Sequence, residues 1–445
     1  MVTRPGVSPD AIVDFDHHSD DFNLNEVAVN AELRRTCPVA WNQNYGGFWF
    51  LTSYDAVSQA ARDGDTFAHK YEPNAPDGID YQGEMGVPRP EGHPALGIGE
   101  VDGPYHQALR HALAPFFSPG AVQKMRPFME QSAHWLLDQH SAEGHMDLVL
   151  DYASPVPAIL TMKLMGLPYD SWHLYANLFH SVMAVPQDSP EYADALAAAP
   201  AMMHDVLEFA ANRRADPHDD LTSFLIQFEF DGQRLSDEQL LNIIWNLIAG
   251  GVDTTTSQTA LTLLHLGTHP QLRRQLIDHP ELYRTATDEF LRYFSVNQQL
   301  SRTVTRDVTV GGQQLRRNDR VVISWLAANH DEHEFDRPDT IVLDRTPNRH
   351  LAFGLGPHRC IGSHLARLMA EVMVKAVLDR IPDYRVDLDG VHQYLGNPSM
   401  TGLGKLPVTL HPSGSLSSTP YCAGQRSAGR YSVPNSASSA GNSPA

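Results

Sequence analysis

Residues Phe353-Gly354-Leu355-Gly356-Pro357-His358-Arg359-Cys360-Ile361-Gly362 decide how this 445-residue chain is read. They end where a helical run begins, Ser363-His364-Leu365-Ala366-Arg367-Leu368-Met369. Cys360 therefore lies at or just before a helix N-terminus. The helix dipole and free N–H groups there favour an anion, so the thiolate is the expected form. Gly354, Gly356 and Gly362 let the backbone turn tightly and approach a partner closely. His358 and Arg359 add positive character. Two readings stand: a buried structural cysteine, or an anionic sulfur used as an axial metal ligand or nucleophile. Gly354-x-Gly356 lacks the third spaced glycine of a dinucleotide fingerprint.

Upstream, Ser236-Asp237-Glu238-Gln239 is a capping box, with Leu235 and Leu240 at the staple positions. Leu240, Ile243, Ile244, Leu247 and Ile248 keep one face apolar. Leu261, Leu264 and Leu266 resume it until Gly267 and Pro270 stop it. The spacing predicts one helix of about 30 residues, ~45 Å long, enough to cross the molecule. Its centre, Ala249-Gly250-Gly251-Val252-Asp253-Thr254-Thr255-Thr256, is weak, because each glycine costs ~1 kcal/mol relative to alanine. The pattern fits a kink tolerated for packing. It also fits a bare stripe where a flat ligand lies, with Asp253 and Thr254 beside it. Thr hydroxyls bonded to the previous turn open a groove that holds water.

The cysteine string resembles the haem-ligand signature of the cytochrome P450 family. It has the aromatic Phe353, a glycine two residues before a basic residue, then cysteine and glycine. His358 stands where the family more often has Arg. The resemblance implies that Cys360 is the axial thiolate of the iron of haem b. Other stretches resemble family motifs in the same order. Gly251-Val252-Asp253-Thr254-Thr255 resembles the oxygen-activation motif, which makes Asp253 and Thr254 the catalytic pair and sets Gly250 against the cofactor. Glu289-Phe290-Leu291-Arg292 resembles the structural E-x-x-R pair, on one helix face at i, i+3. Its usual arginine partner is Arg345 or Arg349. Asp102-Gly103-Pro104-Tyr105-His106-Gln107-Ala108-Leu109-Arg110 resembles the haem-propionate helix, with His106 and Arg110 at i, i+4. Arg302 and His358 take the third and fourth propionate positions, a charge-assisted arrangement.

The resemblance covers residues 29–412 as a single domain. It implies a mostly α fold with a minor β subdomain, the haem lying between the long helix and the cysteine loop. It implies insertion of one atom of O₂ into a hydrophobic substrate, with electrons ultimately from NAD(P)H. No flavin or ferredoxin domain fits after Pro412, so a separate ferredoxin and its reductase are expected. They would dock on a basic patch of Arg110, Arg359 and Arg367. By the same analogy the pocket takes Met85, Val87, Leu96, Ile98, Phe179, Met183, Val185, Ile248, Val296, Leu300 and Met400. Asn297, Gln298 and Gln299 would supply polar contacts. A medium-sized apolar substrate follows: terpenoid, steroid-like or fatty acyl. The alternatives are a peroxide-driven peroxygenase, which the Asp253-Thr254 pair argues against, and a non-enzymatic haem sensor or carrier.

Composition narrows the class. Thirty-three basic against 53 acidic residues give a formal charge of −20, which disfavours nucleic acid. No apolar run reaches the ~18–20 residues of a membrane span, and the N-terminus does not resemble a signal peptide. Cys37, Cys360 and Cys422 are odd in number and widely spaced, so a reduced, cytoplasmic setting is expected. Residues 1–28 are expected to form a flexible arm, in which His17-His18 is a chance pair rather than a metal site. Residues 71–103 are expected to be loop. Residues 413–445, rich in Ser, Gly, Ala and Pro, are expected to be a disordered tail.

Overall fold

Ser236 Oγ accepts the Gln239 N–H at 3.2 Å, and Gln239 Oε1 accepts the Ser236 N–H at 3.0 Å. From this completed capping box the helix Asp237–Thr268 runs 32 residues. The structure is a computed structural model that describes residues 7–410, apart from 92, 94, 141–142, 186–188 and 395–398. The expected tail from 413 lies outside the described residues. The long helix holds through its weak centre because neighbours cover it. It packs on helices Pro155–Met165, Trp172–Ala184 and Ser363–Arg380, and the last of these packs on Pro119–His140. Leu240, Ile243, Ile244, Ile248, Val252, Leu263 and Leu266 join one large core. Val252, Asp253, Thr255 and Thr256 are all buried, so this helix is enclosed on most sides.

The minor sheet is mixed and has six strands in the order Ile12–Val13, Val39–Asn42, Phe48–Leu51, Arg320–Ser324, Gln299–Val304 and Phe67–Ala68. Gly311-Gly312 turns Val308–Val310 back onto Gln313–Leu315 in a separate hairpin. The fold is therefore mostly α with small sheets, as the sequence indicates. No helix among the described residues is long and apolar enough to cross a membrane.

The N-terminal arm is a correction. Within it, Ile12–Val13 pairs with Trp41-Asn42, and Asp20–Thr36 is a helix capped by Ser19. Phe22 is buried and stacks on Phe15 at 5.2 Å. The buried face of this helix is Phe22, Glu26, Asn30 and Leu33, so two polar residues interrupt the apolar period and hide the helix in the sequence. Burial pushes the Glu26 carboxyl up to about 8, against the pull of Asn30. His17 is buried in the same region, its ring against Phe48 at 4.9 Å. Among the described residues no group of three or more His, Cys, Asp or Glu could hold a metal ion.

The loop 71–103 is more ordered than expected. Tyr71–Glu72 pairs with Tyr81–Gln82. Its remainder is fastened by Glu100, which is 1% exposed. Glu100 accepts from Arg89 Nη1 at 2.5 Å and Nη2 at 2.9 Å, from the Glu84 N–H at 2.7 Å and from the Leu96 N–H at 2.9 Å.

Candidate functional site

The cysteine loop turns where its glycines permit. Gly354 and Gly356 have φ of +66° and +75°, and a Cβ on Gly356 would sit 2.2 Å from the Ala61 carbonyl oxygen. The Cys360 N–H donates to the Phe353 carbonyl at 2.8 Å, closing the loop. Cys360 has accessible surface, yet so much protein surrounds it that burial pushes its thiol up. Both are true of a side chain inside a recess. The Gly362 N–H, then Arg110, Arg359 and Arg367, pull the thiol the other way. The helix-terminus effect expected from the sequence is thus present but outweighed by desolvation.

The two glycines of the long helix differ. A Cβ on Gly250 would meet nothing within 4 Å, whereas one on Gly251 would lie 2.8 Å from Thr161 Oγ1. Gly250 is the bare stripe and Gly251 is a packing glycine. Thr254 Oγ1 donates to the Gly250 carbonyl at 2.8 Å, as the groove reading requires. Its hydroxyl keeps its acceptor lone pairs. Asp253 is 3% exposed, and its carboxylate is held by groups outside the sequence reading. His180 Nδ1 is 3.2 Å from Oδ1, and Tyr394 Oη is 3.0 Å from Oδ1 and 3.1 Å from Oδ2.

His106, His358, Arg302 and Arg110 do come together. The His358 ring stacks on His106 at 3.8 Å and on His69 at 3.5 Å. His358 Nε2 donates to Asp102 Oδ1 at 2.8 Å. Asp102 Oδ2 in turn accepts from the N–H groups of His69 and Lys70. Arg110 Nη2 donates to the Arg359 carbonyl at 2.6 Å. Arg302, 2% exposed, donates to the Ser301 carbonyl and lies 3.6 Å from Glu84 Oε2. Burial lowers His106 to about 3, aided by His358 and Arg110, and lowers Arg302 to about 10. Burial likewise pushes Glu84 up to about 7. Two buried nitrogens here, Arg302 Nε and His106 Nε2, have no partner within the protein. Buried donors are normally satisfied, so the cluster fits an anionic acceptor of the carboxylate kind.

The E-x-x-R pair is completely buried and bidentate, with Arg292 Nε and Nη2 each 2.9 Å from Glu289. Arg345 completes it, Nε to Glu289 Oε2 at 2.8 Å, while Arg349 is exposed and lies 3.4 Å from Glu334. Burial would raise Glu289, but Arg292, the Val342 N–H and Arg345 together hold it below its usual value.

The segments that carry the expected lining residues close into a ring. A Cβ on Gly97 would strike the Asn242 backbone at 2.6 Å, so the 71–103 loop lies on the long helix. The Ser301 N–H donates to the Glu84 carbonyl, and the Gln298 N–H to the Ser399 carbonyl. Asn297 bridges Met400. His180 Nε2 reaches the Gly404 carbonyl at 3.1 Å, and His180 returns to the long helix through Asp253. Met85, Leu96, Met183, Val185, Asn297 and Leu300 are part-exposed within these segments, while Ile98, Phe179, Val296, Gln298, Gln299 and Met400 are buried. Two expected lining residues belong elsewhere. Val87 packs with Phe22, Phe48 and Phe50 in the N-terminal cluster, and Ile248 is wholly enclosed in the main core. The expected basic patch is also reduced. Arg367 is tied to Asp288 at 2.6 Å and lies over Phe353, leaving Arg359 as its exposed member.

Sequence reasoning missed His69, Glu84, Asp102, His180 and Tyr394. A lone histidine on the apolar face of Trp172–Ala184 was the available signal for His180.

Comparison with known proteins finds relatives along most of the chain. The family model described as Cytochrome P450 matches residues 169–393. The mycinamicin IV hydroxylase/epoxidase of Micromonospora griseorubida is 34% identical over 381 residues, covering 83% of this chain and 91% of that protein. The steroid C26-monooxygenase of Mycobacterium tuberculosis (strain ATCC 25618 / H37Rv) is 30% identical over 385 residues, covering 81% and 84%. The solved structure of a mutant of P450 EryK in complex with erythromycin B aligns with a TM-score of 0.76 at 28% identity, covering 90% of this chain and 99% of that one. Likeness in sequence and in fold thus extends along most of the chain, which belongs to the cytochrome P450 family.

Proposed function

We propose that this P450 monooxygenase hydroxylates a medium-sized, largely apolar molecule of steroid or polyketide type, with electrons from NAD(P)H delivered by a separate ferredoxin and reductase. The observation that carries the reading is the pair of orphaned buried donors, Arg302 Nε and His106 Nε2, in the cluster that runs through His358 to Cys360. They would hold the two carboxylates of haem b, and Cys360 would bind its iron through sulfur. When bound, the haem supplies O₂ activation and the oxidation of the substrate's C–H bond.

The chain supplies the rest. Gly250 leaves the face of the long helix bare, so a flat group can lie against it. Thr254, its proton committed to Gly250, offers acceptor lone pairs into the recess and can orient a water or hydroxyl there. Asp253 handles the protons that the recess consumes. Its carboxylate is in contact with His180 and Tyr394, so protons reach it from that side. The ring of segments bounds the substrate, with Met85, Leu96, Met183 and Leu300 as adaptable apolar walls. The names of the relatives that act on mycinamicin IV and on steroids support a bulky ring-bearing substrate over a linear chain.

Arg359 and the partly neutralised Arg367 and Arg110 support docking of an acidic ferredoxin on the cysteine side. Its reduction rate falls as salt rises. A rate indifferent to salt counts against that face. The Asp253-Thr254 pair, which suits the O₂ route, supports a monooxygenase over the peroxygenase alternative.

Two measurements on the purified protein test the reading. Reduction with dithionite under carbon monoxide gives a strongly red-shifted Soret band. Reconstitution with a ferredoxin, its reductase and NADH then oxidises steroid or macrolide panels with product formed in proportion to NADH used. Absence of haem, or turnover with hydrogen peroxide alone, overturns it.

A further inference from the structure

Three buried groups from three elements meet at Asp253. His180 comes from helix Trp172–Ala184, Asp253 from the long helix, and Tyr394 from the hairpin formed by His392–Gln393 and Leu403–Lys405. All are at most 5% exposed. The donors can be assigned from chemistry. His180 Nε2 faces the Gly404 carbonyl, which only accepts, so Nε2 carries a proton. His180 Nδ1 faces a carboxylate oxygen at 3.2 Å, which also only accepts when ionised. Both contacts are made together only by the imidazolium.

Tyr394 supplies the other half of the arrangement. Its Oη is 3.0 Å from Asp253 Oδ1 and 3.2 Å from His180 Nδ1. With His180 protonated, the phenol has one acceptor, the carboxylate. With Nδ1 deprotonated, that nitrogen becomes a competing acceptor for the same hydrogen. Loss of one proton therefore costs Asp253 its imidazolium donor and sets its phenol donor between two acceptors.

We propose that His180 is a positioning residue for Asp253, one that as imidazolium clamps the acid between two pocket walls and on losing its Nδ1 proton lets the acid go while still holding the Gly404 carbonyl through Nε2. The walls are helix Trp172–Ala184 and the hairpin, which His180 joins through Asp253 and the Gly404 carbonyl. The other titratable group acting on His180 is Asp147, on the strand His145–Asp147, and Ser257 of the long helix lies beside Tyr394 at Gly402. Burial lowers His180, but the Asp253 hydrogen bond and charge and the Gly404 carbonyl outweigh it, so the net shift is upward. The clamp therefore holds through mildly acidic pH and opens as pH rises above the ordinary histidine range. The inference rests on Asp253 being the acid that serves the recess.

The test uses carbon monoxide as the probe of the recess in the reduced holoenzyme, with no substrate. Its association rate after flash photolysis is followed across pH. The wild type shows one titration, above the ordinary histidine value of about 6.5, with the rate rising about fivefold, the difference between a charge-assisted and a neutral hydrogen bond. His180→Gln keeps a polar side chain without a titrating nitrogen and gives a flat profile. Tyr394→Phe leaves the carboxylate with one donor fewer and more basic, and so moves the titration to higher pH. A flat wild-type profile, or a titration surviving in His180→Gln, overturns the proposal. If His180→Gln yields no folded haem protein, an unshifted titration in Tyr394→Phe overturns it. Failure of the underlying reading looks different: Asp253→Asn leaves the coupling of NADH to product unchanged while the wild-type titration stands.

Discussion

Arg345 reaches Glu289 with its Nε 2.8 Å from Oε2, although Glu289 is already bound on both oxygens by Arg292. One carboxylate thus carries two guanidiniums, with the Val342 N–H and Asn348 as further donors. The second arginine fastens the chain ahead of the cysteine loop to the helix Tyr283–Phe294. Removing it leaves a wholly buried charge less compensated. Arg345→Ala is expected to cost ~3 kcal/mol or more and to lower haem retention, whereas the exposed Arg349→Ala costs ~0.5 kcal/mol or less. Urea midpoints and haem absorbance of the two variants decide it, and equal losses refute the assignment of Arg345.

Cys360 is the free cysteine of the recess, whereas Cys37 is buried in the N-terminal cluster. Cys360→Ala is expected to abolish the red-shifted carbon monoxide band, and Cys37→Ala to keep it. A variant lacking Cys360 that retains the band excludes it as ligand.

Thr254 commits its proton to Gly250 and keeps its lone pairs free to accept. Thr254→Ala is expected to retain haem and substrate-induced spectral change while diverting most NADH electrons to hydrogen peroxide. Thr254→Ser, which keeps the hydroxyl, restores much of the coupling. Peroxide measured per NADH consumed is the readout, and unchanged coupling in the alanine variant removes Thr254 from the mechanism.

The adjacent glycines answer oppositely to a methyl group. Gly250→Ala meets no atom and gains up to ~1 kcal/mol of helix propensity, visible in thermal melts of the haem-free protein. Gly251→Ala drives its Cβ against Thr161 and costs ~1–3 kcal/mol. Gly250→Ala narrows the recess and weakens haem affinity despite the firmer helix. A reversed order of stabilities contradicts the packing described.

Glu26 gives a pH signature. Its folded-state value is raised to about 8 from an ordinary 4.5, so the folded chain holds a proton that the unfolded chain gives up. Its contribution is complete below about 4.5 and is lost as pH rises toward 8. Glu26→Gln mimics the neutral acid and is expected to stabilise the protein by about 4 kcal/mol at pH 8, with no difference near pH 4. Chemical denaturation at the two pH values measures it.

What the sequence made legible was local. The capping box of Ser236 and Gln239, the glycine-bent cysteine loop and the i, i+3 pair of Glu289 and Arg292 each lie within a few residues, where spacing alone dictates geometry. Arg345 could be narrowed to two candidates because it lies in a short stretch of known direction. His180 and Tyr394 were invisible for the opposite reason. Each touches Asp253 across a long chain separation, and neither has a pattern of its own. The arm was misread because Glu26 and Asn30 occupy inward positions, which broke the apolar period on which the reading depended. Val87 and Ile248 were assigned to the pocket by analogy of position, but a position in sequence does not say which side of the backbone faces the recess.

The fastening of the 71–103 loop has an evolutionary consequence. Glu100 grips one side chain, Arg89, and two main-chain N–H groups, those of Glu84 and Leu96. Main-chain groups are present whatever residue is written there. Met85, Leu96 and Ile98 can therefore be exchanged for larger, smaller or more polar residues while the loop keeps its path. A lineage retaining Arg89 and Glu100 is free to change what it recognises without redesigning what it is, and a directed-evolution library confined to those three positions would sample new substrates on an unaltered frame.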